Sequence, residues 1–258
     1  MAMPMFGRFQ MHPGGGVNPP YSPAFPLEWE TRMNVLEVVT QVEREKVESL
    51  LADTGFSLVN DRVAFRFMLS PEHTLSLYRG RMFDLMVTVP VRYQGLFTQT
   101  HIYMYCSDPM GIVGGRELFG YTKKDCDFEF FEVEDGRVTG SVARRSIPLA
   151  AFSFQPDANV PVVRLTDEEP QPGGELHVRR LPDPDGVGVA YADVVYRHTP
   201  IEYTDPIPGH VDLRLYPSEF DPLTDLEPKV LGAHFMKTPV YGGGFEVEDR
   251  RLIERRLP

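Results

Sequence analysis

Gly114-Gly115-Arg116-Glu117-Leu118-Phe119-Gly120-Tyr121-Thr122-Lys123-Lys124 places two lysines side by side after an apolar, glycine-rich segment, where solubility does not require them. Adjacent ammonium groups repel and burial disfavours a charged amine, so both effects lower a lysine pKa. A lysine that carries a free amine near neutral pH can attack a ketone and form a Schiff base. Such an imine is an electron sink, beside which a carbon–carbon bond can break. A bare Lys-Lys dipeptide is more often a solvated pair on a loop, so the flanking sequence must decide.

That flank carries helix signals. Asp108-Pro109 reads as an N-cap followed by proline at the first helical position, and Gly120 is placed as the stop. Gly111, Gly114 and Gly115 weaken the helix between them. Lys123 and Lys124 then follow the helix end on a tight connection, where successive residues point in different directions. One amine can enter a pocket while its neighbour supplies charge from outside.

The 258 residues suffice for one large domain or two small ones. A hydrophobic content of 42% and a charged content of 24% are ordinary for a soluble globular protein. The net charge of −11 argues against nucleic-acid binding, which needs a basic face. Two cysteines, Cys106 and Cys126, are too few for a disulfide framework and fit a reducing, cytoplasmic setting. No apolar run has the length of a membrane span, and the N-terminus lacks the basic and apolar regions of a signal peptide.

Residues 1–20 are rich in Met, Gly and Pro without periodicity and read as a flexible arm or strap. Residues 42–52 form the best amphipathic helix, with Val42, Val47, Leu50 and Leu51 on one face and Gly55 as a stop. Short β-rich segments follow at 62–69, 82–91, 96–105, 137–147, 160–165, 175–180 and 189–197. Pro90 marks an edge or a bulge. Beyond them, Pro206, Pro208, Pro217, Pro222 and Pro228 suggest a loop-rich C-terminal part, and Gly242-Gly243-Gly244 a flexible turn. The seven histidines show no metal-binding spacing, and there is no nucleophile elbow or dinucleotide fingerprint.

GRELFGYTKK resembles the lysine motif of the acetoacetate decarboxylase family, in which Gly-Arg-Glu is followed by a few residues and Pro-Lys-Lys. Ser22-Pro23-Ala24-Phe25-Pro26 is similar to a segment near the N-terminus of those enzymes. Asp84-Leu85-Met86-Val87-Thr88-Val89-Pro90-Val91, followed by Tyr93 and Gly95, has the layout of the family's strand that begins with glutamate and ends in Pro-Val. Three matches in order over roughly residues 20–150 are specific together; the last hundred residues carry none.

The resemblance implies Lys123 as the Schiff-base nucleophile and Lys124 as the residue that tunes it. Activation of that lysine by desolvation or by a neighbouring cation is the family's own mechanism and comes with the resemblance. Arg32 corresponds to an arginine lining the family's site, where it would hold a carboxylate or pair with an acid. Asp84 stands where the family has glutamate, one methylene shorter, and would do acid/base work or pair with Arg32. Arg66 stands where a second pocket glutamate is common, which implies a substrate with an additional anionic group, or a reaction in which a carboxylate is held rather than expelled, unless the side chain is at the surface. Thr122 replaces the proline before the lysines, and Arg116 and Glu117 would orient the loop or line the pocket. Tyr121 and Tyr103 would lend a phenol or pack in the core.

The expected fold is a single β-rich α+β domain over 21–258, a closed or nearly closed antiparallel barrel with few helices. The expected function is a cofactor-free, metal-free carbon–carbon lyase that decarboxylates a β-keto acid. A Schiff-base aldolase–dehydratase joining pyruvate to an aldehyde and a non-catalytic ligand-binding barrel are the alternatives. The implied partners are a small keto acid and further copies of the chain, with neither nucleic acid nor membrane.

Overall fold

The computed structural model describes residues 10–11, 17–18, 29–71, 81–133, 135–168, 174–182, 189–198, 203–238, 241–243 and 250–254. Ser22 to Pro26 and most of the expected arm lie outside them. The strands are β1 (Gln10–Met11), β2 (Val17–Asn18), β3 (Trp29–Thr31), β4 (Asn34–Gln41), β5 (Ser57–Leu58), β6 (Arg62–Ser70), β7 (Met82–Tyr93), β8 (Leu96–Cys106) and β9 (Lys123–Asp125). They continue with β10 (Asp127–Glu132), β11 (Val138–Arg144), β12 (Ile147–Pro156), β13 (Gly174–Pro182), β14 (Val189–His198) and β15 (Ile207–Leu215). The last are β16 (Lys229–Lys237), β17 (Tyr241–Gly243) and β18 (Arg250–Glu254). Two α-helices, α1 (Arg44–Leu51) and α2 (Pro109–Gly114), complete the frame with a π-turn at Gly115–Phe119 and a 3-10 turn at Leu223–Leu226.

Fourteen strands form one sheet in the order β10-β11-β12-β15-β16-β4-β6-β7-β8-β13-β14-β18, with β5 added to β7 and β9 to β8. The order is an open path. The closed barrel expected from the sequence is not found in the pairing of the described residues, and the sheet is mixed, because β8 runs parallel to both β9 and β13. The sheet nevertheless folds back on itself. Phe67 of β6 packs on Phe152 of β12 at 4.3 Å, and Phe83 of β7 stacks on Phe128 of β10 at 4.6 Å between ring centroids.

This folding gives β6 and β7 two different buried faces. Phe65, Phe67, Leu85, Val87 and Val89 point into the main apolar core, which α1 helps to close with Val47 and Leu51. Arg66, Asp84, Met86 and Thr88 point the other way, since successive strand residues alternate. Being covered on both sides, these strands read as near-continuous apolar runs and hide their polar positions.

Several elements depart from the sequence reading. Residues 160–165 form no strand: Asn60 and Arg62 side chains take up the carbonyls of Leu165 and Arg164, and Val163 packs where Gly232 has no side chain. The proline-rich C-terminal part contributes β15 and β16, which join β12 to β4 inside the sheet. Gly242 and Gly243 belong to β17 paired with β3, and Gly244 lies outside the described residues. Pro90 lies beyond the part of β7 that pairs with β6, where its carbonyl accepts from Val59 N.

Phe67 is fully buried at the fold-back contact, so Phe67→Ala should cost about 3–5 kcal/mol. Phe131, 56% exposed, should tolerate the same change. Denaturant midpoints of the two variants check this.

Candidate active site

The helix signals hold locally. The Asp108 side chain accepts from Gly111 N, Pro109 opens α2, and Gly120 ends the π-turn in the left-handed region at φ 75°. A Cβ on Gly120 would also stand 2.8 Å from the Arg179 backbone, so glycine is required twice over. The second half of the segment is π-helical rather than α-helical, a widening often found at functional sites. Gly115 presents bare backbone to the Lys123 stem; a Cβ there would meet Lys123 Cδ at 3.0 Å and Tyr121 Cδ2 at 3.1 Å.

Lys123 and Lys124 begin β9 and point to opposite faces of the sheet. Lys123 is buried, with Nζ 2.9 Å from Asp84 Oδ1. Burial pulls the Lys123 pKa down, but the Asp84 carboxylate outweighs it, and the net shift is upward. The depressed lysine pKa expected from the sequence is therefore reversed in the resting protein, where the amine is an ammonium. Asp84 pairs with Lys123, not with Arg32. Lys124 lies on the Tyr105 side, its Nζ 2.6 Å from Asp221 Oδ1 and 3.0 Å from the Phe220 carbonyl. Its charge is matched there by Asp221, which Arg144 and Tyr105 also hold. Tyr103 is on that side too, under the influence of Asp225 and Asp221. Arg197 is a nearby cation that opposes this rise in the Lys123 pKa without overcoming it.

A row of aligned residues runs across the site face. His234 pairs with Glu37, Glu37 with Arg66, Arg66 with Met86, Met86 with Met104 and Met104 with Lys123. Arg66 is thus inward, its side chain 18% exposed. Its Nε donates to Glu37 Oε2 at 2.5 Å and its Nη1 to Gln99 Oε1 at 2.8 Å. Three strand spacings of about 4.8 Å put the Arg66 and Lys123 backbones about 14 Å apart along the sheet.

Between these ends lies a polar cluster that the sequence reading missed. Tyr121 OH donates to Glu175 Oε2 at 2.5 Å and accepts from Arg197. Lys123 Nζ lies 5.6 Å from the Tyr121 ring centroid. His101 Nε2 is 3.2 Å from Glu175 Oε1, and its Nδ1 is 2.9 Å from Thr88 Oγ1. Burial would raise the Glu175 pKa, yet His101, His177 and Arg197 hold it well below the usual carboxylate range. Burial pushes His177 down to about 4 and Cys106 up to about 12, so the imidazole is neutral and the thiol intact at pH 7. A bulge brings His101 here: Tyr103 pairs with Val87 and His101 with Thr88, leaving Ile102 as an extra residue. Without that residue His101 would face the other way. The signal that was present in the sequence is Glu175-Leu176-His177, an alternation on one strand.

Arg116 and Glu117 both take part in contacts to the backbone around the lysine. Arg116 is exposed and its Nη1 donates to the Lys123 carbonyl at 3.3 Å, while the Glu117 carbonyl accepts from Arg179 Nη1 at 3.1 Å. Thr122 is exposed. Arg32 lies exposed between β3 and β4, whereas Lys123 meets Asp84, Tyr121, Cys106 and Arg197.

Against known proteins, the family model for acetoacetate decarboxylase matches residues 16–252. The chain belongs to the acetoacetate decarboxylase family. No match was found among curated proteins. Among solved structures, the acetoacetate decarboxylase of Legionella pneumophila is similar at TM-score 0.71 and 19% identity, covering 89% of this chain and 88% of that one. An acetoacetate decarboxylase-like enzyme of Sphingomonas wittichii RW1 gives 0.71 and 14%, covering 92% and 97%. The enduracididine biosynthesis enzyme MppR complexed with pyruvate gives 0.72 and 15%, covering 93% and 94%. At these identities the likeness is one of fold. Among the described residues no helix is long and apolar enough to cross a membrane.

Asp84→Asn should lower the Lys123 pKa, because it removes the carboxylate that outweighs burial. The pH profile of amine labelling at Lys123 should move to lower pH. Since the pair raises the folded-state pKa of Lys123, its stabilisation is full at neutral pH. It fades as pH rises from the ordinary lysine value of about 10.4 toward the raised one. A labelling profile that moved upward would show that Asp84 does not hold the proton.

Proposed function

We propose that this chain is a lyase that forms a Schiff base between Lys123 and a small keto acid, and that it decarboxylates a β-keto acid. The observation that carries this reading is the buried Lys123–Asp84 pair, a primary amine with a proton acceptor 2.9 Å away on a face bearing arginines. Asp84 Oδ1 accepts no aligned hydrogen bond and can receive the ammonium proton. The free amine attacks the ketone, water departs, and a protonated imine forms. The bond to the carboxylate then breaks, its electron pair moving into the imine to give an enamine as carbon dioxide leaves. Protonation of the enamine carbon and hydrolysis return Lys123 and a ketone. Tyr121, held between Glu175 and Arg197, is placed beside the amine to orient the substrate.

A second reading keeps the imine and changes the outcome. In an aldolase–dehydratase, the lysine enamine of pyruvate attacks an aldehyde and water is eliminated. It is favoured by the likeness in fold to MppR, which has been obtained with pyruvate and with a condensation product of pyruvate and imidazole 4-carboxaldehyde. Asp84 suits the proton transfers of either course.

Borohydride reduction in the presence of a panel of keto acids should place the adduct on Lys123, with carbon dioxide released from β-keto acids. An adduct without carbon dioxide, its mass increased by an added aldehyde, would establish the aldolase reading. An adduct on Lys124 alone would overturn Lys123 as the nucleophile, and none with any keto acid would sink the Schiff-base assignment and leave a binding protein.

Arg66 sets the expected preference among substrates. Among the described residues its donors beyond those to Glu37 and Gln99 have no hydrogen-bond partner, and a keto acid with a second carboxylate could use them from Lys123. Arg66→Gln should raise the KM of such a diacid about 10–100-fold, in keeping with about 1.5–3 kcal/mol for a hydrogen bond to a charged group, while acetoacetate changes little. Equal effects on both substrates would mean that Arg66 serves only to pair with Glu37.

A further inference from the structure

We propose that His101, His177 and Glu175 form a binding site for one divalent transition-metal ion of the zinc class. One ring nitrogen of His101, one of His177 and a Glu175 carboxylate oxygen lie within 4.8 Å of one another. They come from neighbouring strands: β8 and β13 run parallel with Gln99 opposite Glu175, which sets His101 beside His177. The His177 side chain is 3% exposed and its Nε2 has no hydrogen-bond partner. Its separation of 3.8 Å from Glu175 Oε2 is too long for a hydrogen bond. Two ligands at about 2.0–2.1 Å from a tetrahedral ion stand about 3.3–3.4 Å apart, so a small closure brings these atoms into range.

The outer contacts are those that a metal site requires. Thr88 Oγ1 fixes the His101 ring through Nδ1, leaving Nε2 to face the cluster. Glu175 Oε2 is occupied by the Tyr121 hydroxyl and lies 3.8 Å from Arg197 Nη1, which leaves Oε1, on the His101 side, to coordinate. Two imidazoles and one carboxylate suit zinc, cobalt or nickel better than magnesium or calcium. Three protein ligands leave a position for a substrate oxygen. Tyr121 packs on both histidines and under Lys123, so an ion here would add positive charge near the amine and favour its neutral form.

The test uses the full chain without a histidine tag, stripped by a chelator and dialysed against Zn2+ without substrate, so it stands apart from the Schiff-base reading. Bound metal is measured by elemental mass spectrometry and, after replacement by Co2+, by its visible absorption. One ion per chain should be retained. Thr88→Val, which loosens only a partner of a ligand, should weaken binding about 10–100-fold, and His177→Gln or Glu175→Gln should weaken it more. His210→Gln, on the surface, should have no effect. No retained ion in the wild type, or equal retention in His177→Gln, overturns the site. Should His177→Gln fail to fold, an unchanged affinity in folded Thr88→Val overturns it equally.

Discussion

The buried contact between Lys123 and Asp84 is the interaction around which the rest of the site is arranged. Removing both charges from water costs several kcal/mol, and taking away one partner alone costs about 3–5 kcal/mol. Such a pair persists only where each partner is fixed. Asp84 is fixed by β7, paired on both sides, and Lys123 by β9 lying parallel to β8. The resting amine is consequently protonated, and the Schiff-base chemistry proposed above would begin by undoing the pair.

The two lysines were legible as a special feature, but the reason for their pairing was not. Electrostatic repulsion between neighbours presumes that both ammonium groups share an environment. Strand alternation separates them: Lys123 enters the site face and Lys124 reaches Asp221 over Tyr105. The second lysine is tied to the segment around Phe220 and Asp221, anchoring β9 from behind. A helix ending at Gly120, by contrast, followed directly from its cap residues, because capping is a local matter that a single sequence expresses in full.

Much of the strand order was beyond the sequence for a physical reason. Strands β6 and β7 were readable as β-rich runs, but β15 and β16 sit among prolines and alternate weakly, and their place between β12 and β4 is a long-range pairing. The site was harder still. Arg66 and Asp84 were identified through the family resemblance, whereas Glu175, His177 and Arg197 lie in the half that carries no motif. His101 is hidden by the extra residue Ile102, which reverses the alternation in the middle of β8. No periodicity argument recovers a face that changes partway along a strand.

Strand β8 also serves two neighbours along one edge. Its C-terminal half pairs with β9 through Met104, Tyr105 and Cys106, and its N-terminal half meets β13 at Gln99. The segment from Pro109 to Gly120 departs from β8 and returns to it at β9, and its π-turn packs against β13 and β14. Only bare backbone fits there: Gly115 lies on the Lys123 stem and Gly120 on Arg179. Gly115, one of the glycines that weaken the helix, is thus what allows it to close over the lysine. The motif joins its glycines to its lysines because one must make room for the other.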